Sequence, residues 1–217
     1  MQGLPEIAKG VLIGLGAAVP IGPVNVEIAR RTLRSGWAAG VALGLGAVSV
    51  DVTYAVLSTL SLGRLFDHAI VRWPVTIGGI ILLSYLGVQC LRAAWSTTKR
   101  QDIDAKSSSP SRAATLRSGY LLGLLMTFLN PMTLMFWFVA LPTISGTVAV
   151  DGARPLVLLC VGVFTGTIAW VLTFTATLAL LGQFRRDLWL LLADTAGGVT
   201  LLSFALAAFL RSFGPLL

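Results

Sequence analysis

One carboxylate stands inside an otherwise apolar run. Asp51 is the only charged residue between Trp37 and Gly63 in "WAAGVALGLGAVSVDVTYAVLSTLSLG". A buried acid can bind and release a proton, pair with a cationic amine, or serve as a structural hydrogen-bond acceptor. Tyr54 follows one turn on and brings a polar tip to the same region. Two other stretches interrupt apolar runs with prolines. "PIGPVN" at 20–25 holds Pro20, Gly22, Pro23 and Asn25, and "FLNPMTLMFW" at 128–137 holds Asn130 and Pro131. Proline removes a backbone donor and clashes with the preceding turn, so each stretch breaks or kinks a helix. The freed backbone groups must then be satisfied by side chains, a cavity or a ligand. Asparagine can serve the broken backbone or a bound molecule. Trp170, amid Thr165, Thr167, Thr173, Thr175 and Thr177, either lines a cavity or packs in a core. Asp194 is a second candidate for carrying a proton; its alternatives are snorkelling to the interface or capping. Glu27 is expected to be solvated or paired with Arg30 or Arg31.

The elements that position these residues follow from composition. Of 217 residues, 56% are hydrophobic and only 12% charged, and the mean hydropathy is +0.86. A soluble domain carries about 25% charge, so the chain reads as an all-α integral membrane protein. Six apolar runs are long enough to span, near 5–27, 37–62, 73–94, 119–141, 155–181 and 188–210. Trp37, Trp73, Trp95 and Trp189 lie at run ends as interfacial anchors. The first run has mixed early charges, Glu6 before Lys9, and no cleavage site before its prolines. It reads as a retained span rather than a signal peptide.

The linker 95–118, rich in serine and charge, divides the chain into a first three-helix unit, 1–94, and a second, 119–217. Eleven of the 16 Lys and Arg residues flank the first, third and fifth loops. That bias puts the linker in the cytoplasm and both termini outside. Three spans is an odd number, so related halves would form two inverted three-helix repeats with broken first and fourth helices. Breaks at matching positions of two halves point to a transport site.

Gly36, Gly40 and Gly44 recur every four residues, a stripe that admits a close neighbour. Asp51 lies about 700° on from Gly44, within roughly 20° of the stripe, and about 20 Å along its run, near mid-membrane. An ionisable group there is a functional candidate. Other classes find little support. Cys90 and Cys160 sit singly in apolar runs and read as small buried hydrophobes. There is no Walker A or HExxH motif, and His68 lies in a loop beside Asp67. No enzyme, metal site or cofactor is expected. The net charge of +7 reads as topology-setting rather than as a nucleic-acid surface.

"PIGPVN", then "RRTLRSGWAAGVALGLGAVSVDVTYA" at 30–55, then "TFLNPMTLMFW" at 127–137 resemble the LysE family of amino-acid exporters over essentially the whole chain. The resemblance implies export of L-amino acids or close derivatives from the bacterial cytoplasm through the inner membrane, driven by proton antiport. It implies that Pro20, Gly22, Pro23 and Asn25 form the first motif, Asp51 the acidic position, and Asn130 with Pro131 the fourth-span motif. Two departures bear on the substrate. The family's compact Pro-Gly-Pro-Asn is spread here as Pro-Ile-Gly-Pro-Val-Asn, and Met132 stands where many members place lysine. The alternative within the same superfamily is an inorganic cation exporter, which calls for a cluster of Asp, Glu, Cys or His. Partners are thus a small-molecule substrate, protons and membrane lipid, and a homo-oligomer is compatible with the layout.

Overall fold

The protein is described by a computed structural model covering residues 4–20, 22–60, 69–99, 112–140, 153–184 and 186–213. Every element among them is helical: α1 Leu4–Ala18, α2 Pro23–Ser35, α3 Trp37–Thr59, α4 Ala69–Lys99, α5 Arg112–Phe128, α6 Pro131–Met135, a π-helical turn Phe136–Ala140, α7 Ala153–Phe184 and α8 Arg186–Phe213. Four segments are long and apolar enough to cross a membrane alone: Trp37–Thr59, Thr76–Trp95, Ala153–Phe184 and Leu188–Ser212. Two bent pairs, α1 with α2 at 78° and α5 with α6 at 57°, complete six spans when each counts as one broken span. The chain is therefore a multi-pass helical membrane protein. Ile81, Val157 and Leu206 face outward, an apolar surface that suits lipid.

The breaks fall at the proline motifs. Gly22 precedes α2 in extended conformation and Pro23 takes its first turn. Asn130 precedes α6, accepts from the Met132 N–H at 3.1 Å, and Pro131 follows at the first turn. Proline suits that position because its missing N–H would have no helical partner there. The first apolar run ends near 27, but α2 continues to Ser35. Charge ends the apolar run without ending the helix, since Glu and Arg are good helix formers. Likewise α4 runs on to Lys99 and α5 starts at Arg112, so helix enters the 95–118 linker from both ends. Residues 100–111 of that linker, with His68 and Asp67, lie outside the described residues.

Gly36 is not part of a packing stripe. It is the joint between α2 and α3, at φ +91°, where its N–H closes on Thr32 O at 3.0 Å. That backbone conformation favours glycine. Gly40 packs against Thr32 and Thr175, and Gly44 against Val171, so the remaining stripe meets α2 and α7.

Glycines also set the long-range packing. Gly10 and Gly162 bring the α1 and α7 backbones together, and a methyl group at either would overlap the partner's main chain. Gly46 and Gly123 do the same for α3 and α5. In α4 and α8, Gly87 faces Leu202 and Gly198 faces Leu91. Small residues admit this approach where lipid supplies no hydrophobic drive to association. Thus α1 lies on α7, α5 on α3, and α4 on α8.

Candidate functional site

The two breaks meet at one small cavity of about 70 Å³ inside the bundle. Pro20, Gly22 and Asn25 line it from the first break, Asn130 and Thr133 from the second, Asp51 from α3, and Trp170 from α7. Ala17, Val24, Ile28, Val48 and Val171 supply apolar wall.

Each break is held closed by its own asparagine. The Asn25 side-chain N–H group donates to Ala18 O at 2.8 Å and Pro20 O at 2.9 Å, taking up carbonyls that the break leaves without helical donors. Its Oδ1 accepts from Trp170 Nε1 at 3.2 Å. Asn130 uses its oxygen on Met132 N and donates to Thr133 Oγ1 at 3.0 Å. Both asparagines therefore serve the backbone they interrupt. Trp170 stacks on Phe174, with ring centroids 5.3 Å apart, so α7 grips the first turn of α2 through a fixed ring.

Along α3, Asp51, Tyr54 and Ser58 share one face, spaced at helical periodicity. All three hold the second break. Trp137 Nε1 donates to Asp51 Oδ1 at 3.0 Å, Tyr54 OH donates to Phe128 O at 2.8 Å, and Ser58 Oγ donates to Trp137 O at 2.7 Å. Tyr54 does not line the cavity; it satisfies the carbonyl that ends α5 and packs on Phe128 and Phe138. Asp51 is buried, and Trp137 is wholly buried in a cluster with Val50, Tyr54, Ala55 and Val163. The Asp51 Oδ2 atom bonds no group among the described residues.

Asp194 lies outside the cavity. It is fully buried, accepts from Arg30 Nε at 2.7 Å, and pairs its second oxygen with Arg34. Glu27 completes the cluster, bonding Arg30 at 2.8 Å and Arg31 at 3.3 Å. The expected Glu27 pairing thus involves both arginines, and Asp194 ties α8 to α2. Beside the cluster an open groove of about 470 Å³ is lined by Arg30, Arg31, Arg34, Thr115 and Ser118. Pro23 is buried at the start of α2 without lining the cavity, and of Pro131 only its place in the α6 backbone is described.

Three site features escape a reading of the chain in order. Trp137 is one of several aromatics in "FWF"; the signal for it is its seven-residue offset from Asn130, two turns past the break. The Arg30 and Arg34 partners of Asp194 lie 164 and 160 residues away. Thr127 lines the cavity, and its buried hydroxyl bonds nothing among the described residues. Leaving such a group unmatched costs about 1–3 kcal/mol.

Among the described residues no group of three His, Cys, Asp or Glu is placed to hold a metal ion. Cys90 and Cys160 are free thiols in α4 and α7.

Comparison with known proteins agrees with this architecture. The profile of the LysE type translocator family matches residues 15–212. "Putative amino acid efflux protein YcgF" of Bacillus subtilis (strain 168) is 25% identical over 197 residues, covering 89% of this chain and 90% of the relative. "Chemotactic transduction protein ChpE" of Pseudomonas aeruginosa is 28% identical over 199 residues, covering 90% and 93%. No solved structure matches. Six apolar spans, two of them broken at proline motifs, and a profile match over nearly the whole length agree: the chain belongs to the LysE type translocator family.

Proposed function

We propose that this protein is a secondary transporter exporting L-amino acids or close derivatives across the bacterial inner membrane by proton antiport. The observation that carries the reading is the convergence of both helix breaks and Asp51 on one cavity. Family membership and the name of the Bacillus relative support the substrate class.

In this reading the chain is two inverted three-helix halves, 1–94 and 119–217, joined by the cytoplasmic linker 95–118. The exchanged packing supports it, α1 on α7 and α3 on α5. So does the holding of each break by the other half's second span, Trp170 on the first and Asp51, Tyr54 and Ser58 on the second. The starts of α2 and α6 present the positive ends of helix dipoles and attract a substrate carboxylate. Asp51 takes the coupling proton or the substrate amine, with Trp137 holding its orientation. Rocking of one half against the other gives alternating access, and Asp194 acts in the α2–α8 contact that closes the linker side.

The test uses cells fed a panel of dipeptides, which raise internal amino acids. Cells overproducing the protein should release one chemical class of amino acid several-fold faster than cells with an empty vector. Equal release of every amino acid would contradict the reading.

A further inference from the structure

Among the described residues seven polar side chains line the cavity, and most are committed elsewhere in the protein. Asn25 and Asn130 close their own breaks, Thr133 accepts from Asn130, Trp170 donates to Asn25, and Thr167 donates to Val163 O at 2.8 Å. Two groups are left over: the Oδ2 atom of Asp51 and the hydroxyl of Thr127.

The Thr127 hydroxyl departs from its neighbours' habit. Inside helices of this protein Thr32, Thr59, Thr167 and Thr175 each return their hydroxyl to the carbonyl four residues back, at 2.7–2.8 Å. Lipid favours that bond, because no water competes for the donor. Thr127 makes no such bond to Gly123, although it is only 2% exposed. It sits in the last turn of α5, three residues before Asn130. Helical threonine has two usable side-chain rotamers, so its oxygen can turn toward a ligand as one arrives.

The chemistry of the missing partner follows from charge. Among the described residues no Lys, Arg or His lines the cavity, and Asp51 is the single acid there. The wall therefore accepts a cationic donor. A primary ammonium carries three donors; a carboxylate oxygen and a hydroxyl oxygen take two of them. We propose that Thr127 is a substrate-contacting residue whose hydroxyl, together with Asp51, receives the ammonium group of the transported molecule. This rests on the amino-acid reading above and adds to it the residue that selects for the amine.

The test uses the full-length protein in proteoliposomes loaded with an equimolar mixture of the twenty L-amino acids, with efflux of each read by mass spectrometry. Valine at 127 keeps the shape of threonine and removes the hydroxyl. For each amino acid the wild type exports, Thr127→Val should raise KM about tenfold or more and leave the maximal rate within about twofold. Thr127→Ser should restore most of the affinity. The melting temperature of ligand-free Thr127→Val should equal or exceed that of the wild type, because an unmatched buried hydroxyl has been removed. Unchanged KM in Thr127→Val, while the wild type exports, would overturn the role of Thr127 and leave the amino-acid reading standing. A lowered melting temperature with unchanged KM would make the hydroxyl structural and overturn it as well. Sodium-dependent export in which Thr127→Val loses only the sodium dependence would make Thr127 an alkali-ion ligand and also overturn the proposal. If the wild type exports none of the twenty, the amino-acid reading itself fails and takes this one with it.

Discussion

Asp51 reaches the cavity with one oxygen tied to Trp137 and the other uncommitted. That division suits a group that must be oriented and also exchange partners. Replacing Asp51 by Asn keeps the size and the bond from Trp137 but removes the charge. Asp51→Asn should abolish the dependence of export on a pH gradient, measured as efflux with and without an imposed gradient; coupled export at the normal rate would contradict the role. Trp137→Phe keeps most of the packing and removes the donor. A hydrogen bond to a charged group is worth about 1.5–3 kcal/mol, so export by Trp137→Phe should fall by about tenfold or more at unchanged fold, checked by efflux alongside circular dichroism. Asp194 belongs to another category of buried acid. It answers to Arg30 and Arg34, and removing one partner of a buried pair costs about 3–5 kcal/mol. Asp194→Asn should therefore lower the melting temperature markedly, while the protein that remains folded keeps its response to a pH gradient. Loss of coupling without loss of stability would return Asp194 to the candidates for proton transfer.

At the scale of elements, α3 does two jobs with two faces. Asp51, Tyr54 and Ser58 bolt the second break, while Gly46 lets the α5 backbone approach. The second break is thus fixed relative to α3 by contacts made on both sides of it, at Phe128 and at Trp137. Gly123 is the counterpart of Gly46 on α5, where any side chain would overlap the Leu43 main chain. Neither backbone can yield as a flexible side chain would. Gly123→Val should therefore force α5 from α3, lowering stability by about 1–3 kcal/mol or more and disturbing the Trp137–Asp51 contact. Thermal unfolding in detergent checks the first effect and efflux the second. The proline motifs show how local sequence can announce such an element. Gly22-Pro23 and Asn130-Pro131 mark the places of both breaks, because each sets a proline suited to a helix's first turn behind a residue that can precede one; the sequence leaves open whether the span breaks or only kinks there. What secures the breaks was less legible. The Asp51–Trp137 bond joins residues 86 apart in the chain, and Trp170 meets Asn25 across 145. Periodicity reports which face a side chain occupies; it carries no information about which distant helix lies opposite. Tyr54 shows the limit, since its turn beyond Asp51 suggests a cavity wall, and its hydroxyl instead reaches a carbonyl beside the break. Gly36 shows another: its spacing fits the stripe, yet its backbone makes the α2–α3 joint.

At the scale of the whole molecule each interrupted span is gripped by a continuous one, the first by α7 through Trp170 and the second by α3 through Asp51, Tyr54 and Ser58. Six apolar runs were readable as candidate spans because bilayer thickness sets a strict minimum length, although several helices continue past the runs' ends. The extension of α2 through Glu27, Arg30 and Arg34 was not readable, because hydropathy treats those charges as loop, while in the fold Glu27 pairs with Arg30 along the helix and Asp194 of α8 takes up Arg30 and Arg34. Orientation is a property of this scale. A periplasm-dependent reporter fused after Leu217 should be active, and one inserted in the 100–111 linker inactive; the reverse pattern would invert the assignment. The most direct measurement is efflux from proteoliposomes holding the purified protein and labelled L-amino acids, with and without a pH gradient. Gradient-stimulated efflux of one chemical class, lost in Asp51→Asn, is the expected result. Folded protein that moves no amino acid under either condition would contradict amino-acid export by this chain.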